Sequence, residues 1–125
     1  MSTSHPNHFD HQALRQAVNA NLYLCANGWR YQSSRFDPEM SSQDFARYRA
    51  DLLSQRSVQG VFTTCEYLKH HGIQRGSYGL KHDVENWGRN HGMSGYVSNG
   101  SAIVGAILSG YKVVRERNSP NCTFR

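Results

Sequence analysis

Tyr78, Lys81, His82 and Glu85 fall within eight residues, at spacings that converge on one helical face. A histidine with a carboxylate nearby has the makings of a general base. No nucleophile elbow, phosphate loop or paired-carboxylate signature accompanies them. They read as a capped helix carrying an ion pair, with a tyrosine packed on the next element, and no enzyme is expected. His5, His8 and His11 are spaced by three, but they surround Pro6 in a tail and lack the carboxylates or thiols that complete a zinc site. His70 and His71 are adjacent and point apart on a helix. The three cysteines, Cys25, Cys65 and Cys122, are odd in number and far apart. They fit free thiols in a reducing compartment, Cys25 and Cys65 on apolar helix faces and Cys122 on a last strand, partly exposed. Neither metal nor cofactor is expected.

Charge is the stronger signal. Residues 1–55 hold five Arg against five acids, and residues 56–125 hold nine Lys/Arg against four, a difference of five that is the whole net charge. A basic C-terminal half suggests an acidic partner, either nucleic acid or an acidic protein surface. The start, Met1-Ser2-Thr3-Ser4-His5-Pro6, has neither a basic n-region nor an apolar h-region. No apolar run approaches the roughly 18 residues of a membrane span. A bacterial cytoplasm is the expected setting.

The elements that must position these residues are mostly helical. Residues 1–8 read as a flexible tail and 9–125 as a single domain. Within it, 9–55 form an N-terminal helical part and 56–125 a trihelical unit plus hairpin. Phe9 and Leu14 staple a first helix around the cap Asp10; Leu14, Val18, Leu22 and Cys25 line one face of it, and Asn27-Gly28 ends it. Residues 29–38 are irregular or a short strand, rich in arginine and aromatics. Ser41 or Ser42 caps a second helix, with Phe45, Tyr48 and Leu52 inward and Arg47, Arg49 and Asp51 toward water. Ser57 caps a third, whose apolar face is Val58, Val61, Phe62, Cys65 and Leu68, and His71-Gly72 stops it.

A fourth helix starts near Ser77 and buries Leu80, Val84 and Trp87, with Lys81 and Glu85 paired on its outer face. Residues 88–95 form a turn-rich connection. Val97, Ser98 and Ala102 staple and cap a fifth helix that ends at Gly110, and Gly100, Gly105 and Ala106 leave room for another element to approach. Alternation from Tyr111 to Glu116, the turn Asn118-Ser119-Pro120-Asn121, and Cys122-Thr123-Phe124 predict a β-hairpin. The expected class is mainly α (α+β): five helices, a trihelical C-terminal core and a C-terminal hairpin. The order of the last elements is that of a winged-helix domain.

Ser77-Tyr78-Gly79-Leu80-Lys81-His82 with Glu85, then Tyr96-Val97-Ser98-Asn99-Gly100, Gly110-Tyr111 and Ser119-Pro120-Asn121 with Phe124, resemble a group of small bacterial proteins carried on plasmids, phages and integron cassettes. The likeness spans roughly residues 58–125. It implies an accessory role on a mobile element and carries no reaction. Nucleic-acid binding through the C-terminal half is the leading expectation. Its face comprises Arg75, Tyr78, Lys81, His82, Arg89, Asn99, Lys112, Arg115 and Arg117, with the basic groups on phosphates. Against a reading-helix mode, the fifth helix carries no Lys or Arg. The alternative is an adaptor, or a protein-binding inhibitor of a host defence complex in the manner of anti-CRISPR proteins. Trp29, Tyr31 and Phe36 would then be its exposed anchors.

Overall fold

A computed structural model describes residues 10–31, 40–93 and 95–125. The first helix, α1 (His11–Ala20), begins where the Asp10 carboxylate accepts the Ala13 N–H at 3.0 Å. Phe9, its expected staple, lies outside the described residues, as do His5 and His8. Leu14 and Val18 are buried as the spacing predicts. The helix stops at Ala20, however, before Leu22 and Cys25. Leu22 is 66% exposed, and Cys25 belongs to a strand. The reason lies far along the chain. The Arg49 guanidinium, expected in water, is half-buried and donates to the carbonyls of Val18 (2.8 Å), Asn21 (3.0 Å), Leu22 (3.2 Å) and Leu24 (2.8 Å). It gathers the carbonyls at and just beyond the helix end, where the chain turns away from the helix axis.

The chain then makes a tight antiparallel pair, β1 (Leu24–Cys25) with β2 (Gly28–Trp29), Leu24 opposite Trp29. Gly28 sits at φ +113°, and the Pro120 carbonyl occupies the space a Cβ would need, so no other residue fits. Helix α2 (Ser42–Leu52) is capped by Ser41, whose Oγ accepts the Asp44 N–H at 3.0 Å. Leu52 is buried, and Phe45 and Tyr48 are half-buried.

Helix α3 (Gln55–Leu68) is capped by Ser54 rather than Ser57 and ends three residues before His71. The Ser54 Oγ accepts the Ser57 N–H at 3.3 Å, and Ser57, one turn in, is fully buried. Its apolar face is wider than the spacing predicts, since Gly60, Thr63, Thr64 and Tyr67 are buried with Val61 and Phe62. Helix α4 (Ser77–Asn90) extends three residues into the stretch expected to be a turn-rich link, and the turn begins at His91. Gly88 is buried inside it, at a helix position where glycine costs roughly 1 kcal/mol relative to alanine.

Helix α5 (Asn99–Leu108) follows the sequence closely. Ser98 Oγ accepts the Ser101 N–H at 3.0 Å, and Val97 and Ala102 are both buried in one cluster. At its end Gly110 adopts φ +96°. The Gly110 N–H reaches the Ile107 carbonyl and the Tyr111 N–H the Ala106 carbonyl, both at 3.0 Å, the paired bonds of a Schellman cap. The chain closes with β3 (Val113–Arg115) antiparallel to β4 (Cys122–Phe124), Val113 opposite Phe124 and Arg115 opposite Cys122.

The architecture is therefore mainly helical, α+β, with five helices and two small antiparallel strand pairs among the described residues. Helices α3, α4 and α5 pack on one another as a trihelical unit, with α5 central. Residues 99–106 of α5 are all buried. A Cβ at Gly105 would lie 2.5 Å from the Thr64 side chain, and one at Gly100 would overlap the Cys25 carbonyl. One core cluster joins Leu14 and Val18 of α1 to Trp29, Leu52, Val61, Ile103, Val104 and Cys122, so the N-terminal elements share a core with the trihelical unit and the hairpin. Among the described residues, no helix is long and apolar enough to cross a membrane.

Candidate functional site

Lys81 and Glu85 are not on an outer face. Their side chains are 20% and 13% exposed, and the Lys81 ammonium donates to Glu85 Oε1 at 2.9 Å. Glu85 Oε2 accepts the Val97 N–H at 3.1 Å. The carboxylate therefore braces α4 against the residues leading into α5 and holds the lysine in place. His82 Nδ1 stands 3.6 Å from Glu85 Oε1, beyond a good hydrogen bond, and its ring meets the Tyr78 ring edge-on at 4.6 Å. This geometry gives no oriented base.

The nine residues expected on one face divide among several places. Arg75, at the start of α4, pairs with Asp83 Oδ1 at 2.5 Å, and that hydrogen bond and charge push its guanidinium pKa up. Arg89, fourteen residues on and about 20 Å away along the helix, donates to Asn86 Oδ1 at 2.7 Å and to the Gly95 carbonyl. Lys112 precedes β3 and exchanges backbone hydrogen bonds with Arg125 at 2.8 and 2.9 Å. By the strand alternation it faces away from Val113, Arg115, Cys122 and Phe124, which form the hairpin's inner side.

Tyr78, Lys81 and Asn99 do meet. With Tyr96, Ser98 and Asn121 they line a pocket of about 260 Å³ where α4, the start of α5, the turn at residues 26–27 and the turn at residues 118–121 converge. Tyr78 is 54% exposed at its rim. Asn99, treated in the sequence as a surface contact, is only 7% exposed. Its Nδ2 donates to the Asn27 carbonyl (3.2 Å), the Pro120 carbonyl (3.4 Å) and Asn121 Oδ1 (2.9 Å). Three acceptors around one nitrogen fix the amide's orientation. Asn99 Oδ1 is left buried with no partner, an arrangement that costs about 1–3 kcal/mol.

Arg115 and Arg117 belong to a second, larger feature. With Tyr23, Arg30, Tyr31, Glu116 and Asn118 they line an open groove of about 640 Å³ between the two strand pairs. The Arg115 guanidinium lies 4.6 Å above the Trp29 ring and donates to the Arg30 carbonyl at 2.9 Å. Tyr23 is exposed and Tyr31 half-buried. Trp29 itself is 4% exposed and part of the core, which removes it as a protein-docking anchor. Phe36 lies outside the described residues. Sequence reasoning missed Tyr23 and Arg30. Arg30 had only the arginine- and aromatic-rich composition after Trp29 as a signal and Tyr23 had none, because their meeting with Arg117 depends on the hairpin returning across the chain.

Burial pushes all three thiols up, and the apolar surroundings outweigh the hydrogen bonds that oppose it. Cys122, expected to be partly exposed, is fully buried behind Trp29 and Ser77, and its backbone N–H donates to Ser77 Oγ at 3.1 Å. Among the described residues, no group of His, Cys, Asp or Glu is placed to hold a metal ion. Comparison with family models, curated proteins and solved structures finds no match for this chain.

Proposed function

We propose that the protein binds nucleic acid, single-stranded in preference to duplex, in the groove between its two strand pairs. The observation that supports this most is the groove's lining among the described residues, three arginines (Arg30, Arg115, Arg117) and two tyrosines (Tyr23, Tyr31) against one acid, Glu116. A cationic track beside aromatic rings is what an unpaired strand needs, charge for the phosphates and ring faces for the bases. Elsewhere much of the basic half is already paired: Arg56 with Asp51, Lys69 with Glu66, Arg75 with Asp83 and Lys81 with Glu85. The positive field is thereby concentrated on the hairpin. Under this reading the chain is an accessory protein of a plasmid, phage or integron cassette acting in a bacterial cytoplasm, the setting that its motif resemblance implies.

The test is a salt titration of binding to short single- and double-stranded oligonucleotides. Binding that weakens with salt, and weakens further with a flatter salt dependence on Arg115 and Arg117 substitution, supports the proposal. Absence of binding even at about 50 mM salt, where phosphate contacts are strong, rejects it. A protein partner, including a host defence complex, is the second reading. It draws on Leu22 and Tyr23, 66% and 57% exposed beside a shallow depression that also includes Val113 and Arg115.

A further inference from the structure

We infer that the pocket lined by Tyr78, Lys81, Tyr96, Ser98, Asn99 and Asn121 takes a single unstacked nucleobase. The inference rests on the nucleic-acid reading and goes further by assigning the motif residues, which the basic groove leaves unused.

The lining selects the ligand class by elimination. Among the described residues Lys81 is the one cation in it, and Glu85 already holds that ammonium at 2.9 Å. With its charge neutralised from behind, the pocket has little to attract a free oxyanion. Among the described residues no acid or histidine cluster offers a cation site. A neutral, flat ligand with donors and acceptors along one edge meets both conditions. Its amino group can serve an oxygen acceptor of the lining. Its ring nitrogen or carbonyl can take an N–H from Lys81, or from the Asn121 amide, whose oxygen is already committed to Asn99. Its face can stack on Tyr78, the exposed ring at the rim. At about 260 Å³ the pocket falls below the roughly 300–1,000 Å³ of drug-sized sites. That leaves room for a base but not a base pair.

The pocket and the groove are neighbours on the same two turns. Asn118 lines the groove, and Pro120 and Asn121 line the pocket; Arg30 lines the groove, and Asn27 the pocket. A strand with its phosphates on Arg115 and Arg117 would enter the pocket by crossing the turn at residues 118–121, which borders both.

Fluorescence anisotropy with a short labelled single strand separates the two sites. Tyr78→Ala is expected to weaken binding about 5- to 150-fold, the loss of one stacked base, with the salt slope unchanged. Tyr78→Phe should retain parental affinity, and a strand carrying abasic sites throughout should bind the parent as weakly as the intact strand binds Tyr78→Ala. If Tyr78→Ala and the abasic strand change nothing while Arg115 and Arg117 substitutions still weaken binding, the pocket assignment is overturned and the groove stands. If the parent binds no strand, the groove reading fails, and the pocket is tested alone by adding nucleoside monophosphates and following the Asn99 and Asn121 side-chain amide resonances. Shifts at those amides support the pocket; their indifference at millimolar nucleotide overturns it.

Discussion

Substituting Arg115 and Arg117 together by alanine should flatten the salt dependence of nucleic-acid binding by an amount set by the groove. Three guanidinium groups, from Arg30, Arg115 and Arg117, line it. Each phosphate contact on a single strand contributes about 0.7 to the slope of log affinity against log salt. Three contacts give a slope of about 2, so affinity should fall about 20-fold between about 50 and 200 mM salt. The double variant keeps one contact, a slope of about 0.7, and should lose only about threefold over that range. Arg115 also stacks on Trp29 and bonds the Arg30 carbonyl, so the variant should lose about 1–2 kcal/mol of stability while staying folded. Far-UV circular dichroism checks that. Lys112→Ala is the control. Its side chain lies on the opposite face of the hairpin, so removing one positive charge there should leave the slope unaltered. A double variant with the parental slope would refute the reasoning. Equal flattening by Lys112→Ala would do the same, because it would show that binding senses net charge rather than the groove.

Other substitutions test the framework. Gly100→Ala drives a methyl group into the Cys25 carbonyl and strains the Gly100 N–H bond to the Ala26 carbonyl, in a helix that is buried and cannot shift. A loss of about 2–4 kcal/mol is expected, read as a lower urea midpoint at unchanged m; a loss under about 0.5 kcal/mol would contradict the packing described. Trp29→Ala should cost about 3–5 kcal/mol as a core truncation, and a variant with parental stability and selective loss of protein binding would restore Trp29 as a docking residue. Stability should also fall in alkali. The Cys25, Cys65 and Cys122 thiols have raised pKa values in the folded state, so the unfolded chain ionises first. Their contribution is complete below about pH 8.5 and declines as pH rises through the folded values; a flat urea midpoint up to about pH 10 would refute it.

Caps and staples were legible because their chemistry is local. Asp10, Ser41, Ser98 and Gly110 each act within a few residues and stand where the pattern puts them. Leu22 and Cys25 continue the first helix's apolar spacing, yet the helix ends before them because Arg49, more than twenty residues away, collects the carbonyls there. No window of sequence contains that interaction. The spacing puts the third helix's cap at Ser57, but Ser57 is buried, its carbonyl accepting the Ser101 hydroxyl at 3.0 Å, and the helix starts one turn earlier at the cap Ser54. The candidate site shows the same division. Tyr78, Lys81 and Asn99 were visible as unusual residues, but their meeting with Asn121 requires the hairpin turn to fold back onto the start of α5.

That fold-back bears on how such a protein can engage a strand at all. The order of three helices and a hairpin suggests a domain that reads DNA with its third helix, here α5. Residues 99–106 of α5 are buried between the trihelical unit and the β1–β2 turn, and the helix bears no cation. Presenting it to a groove would mean stripping Ile103 and Val104 out of the core. What α5 contributes instead is a fixed post. Gly100 lets the Cys25–Ala26 backbone close onto it, and Asn99 ties down both the Asn27 and the Pro120–Asn121 turns. The two turns carry the arginines on one side and line the motif pocket on the other. A buried helix that clamps two loops gives recognition to the loops, so substitutions inside α5 should change affinity only through stability, whereas those on the loops should change it directly.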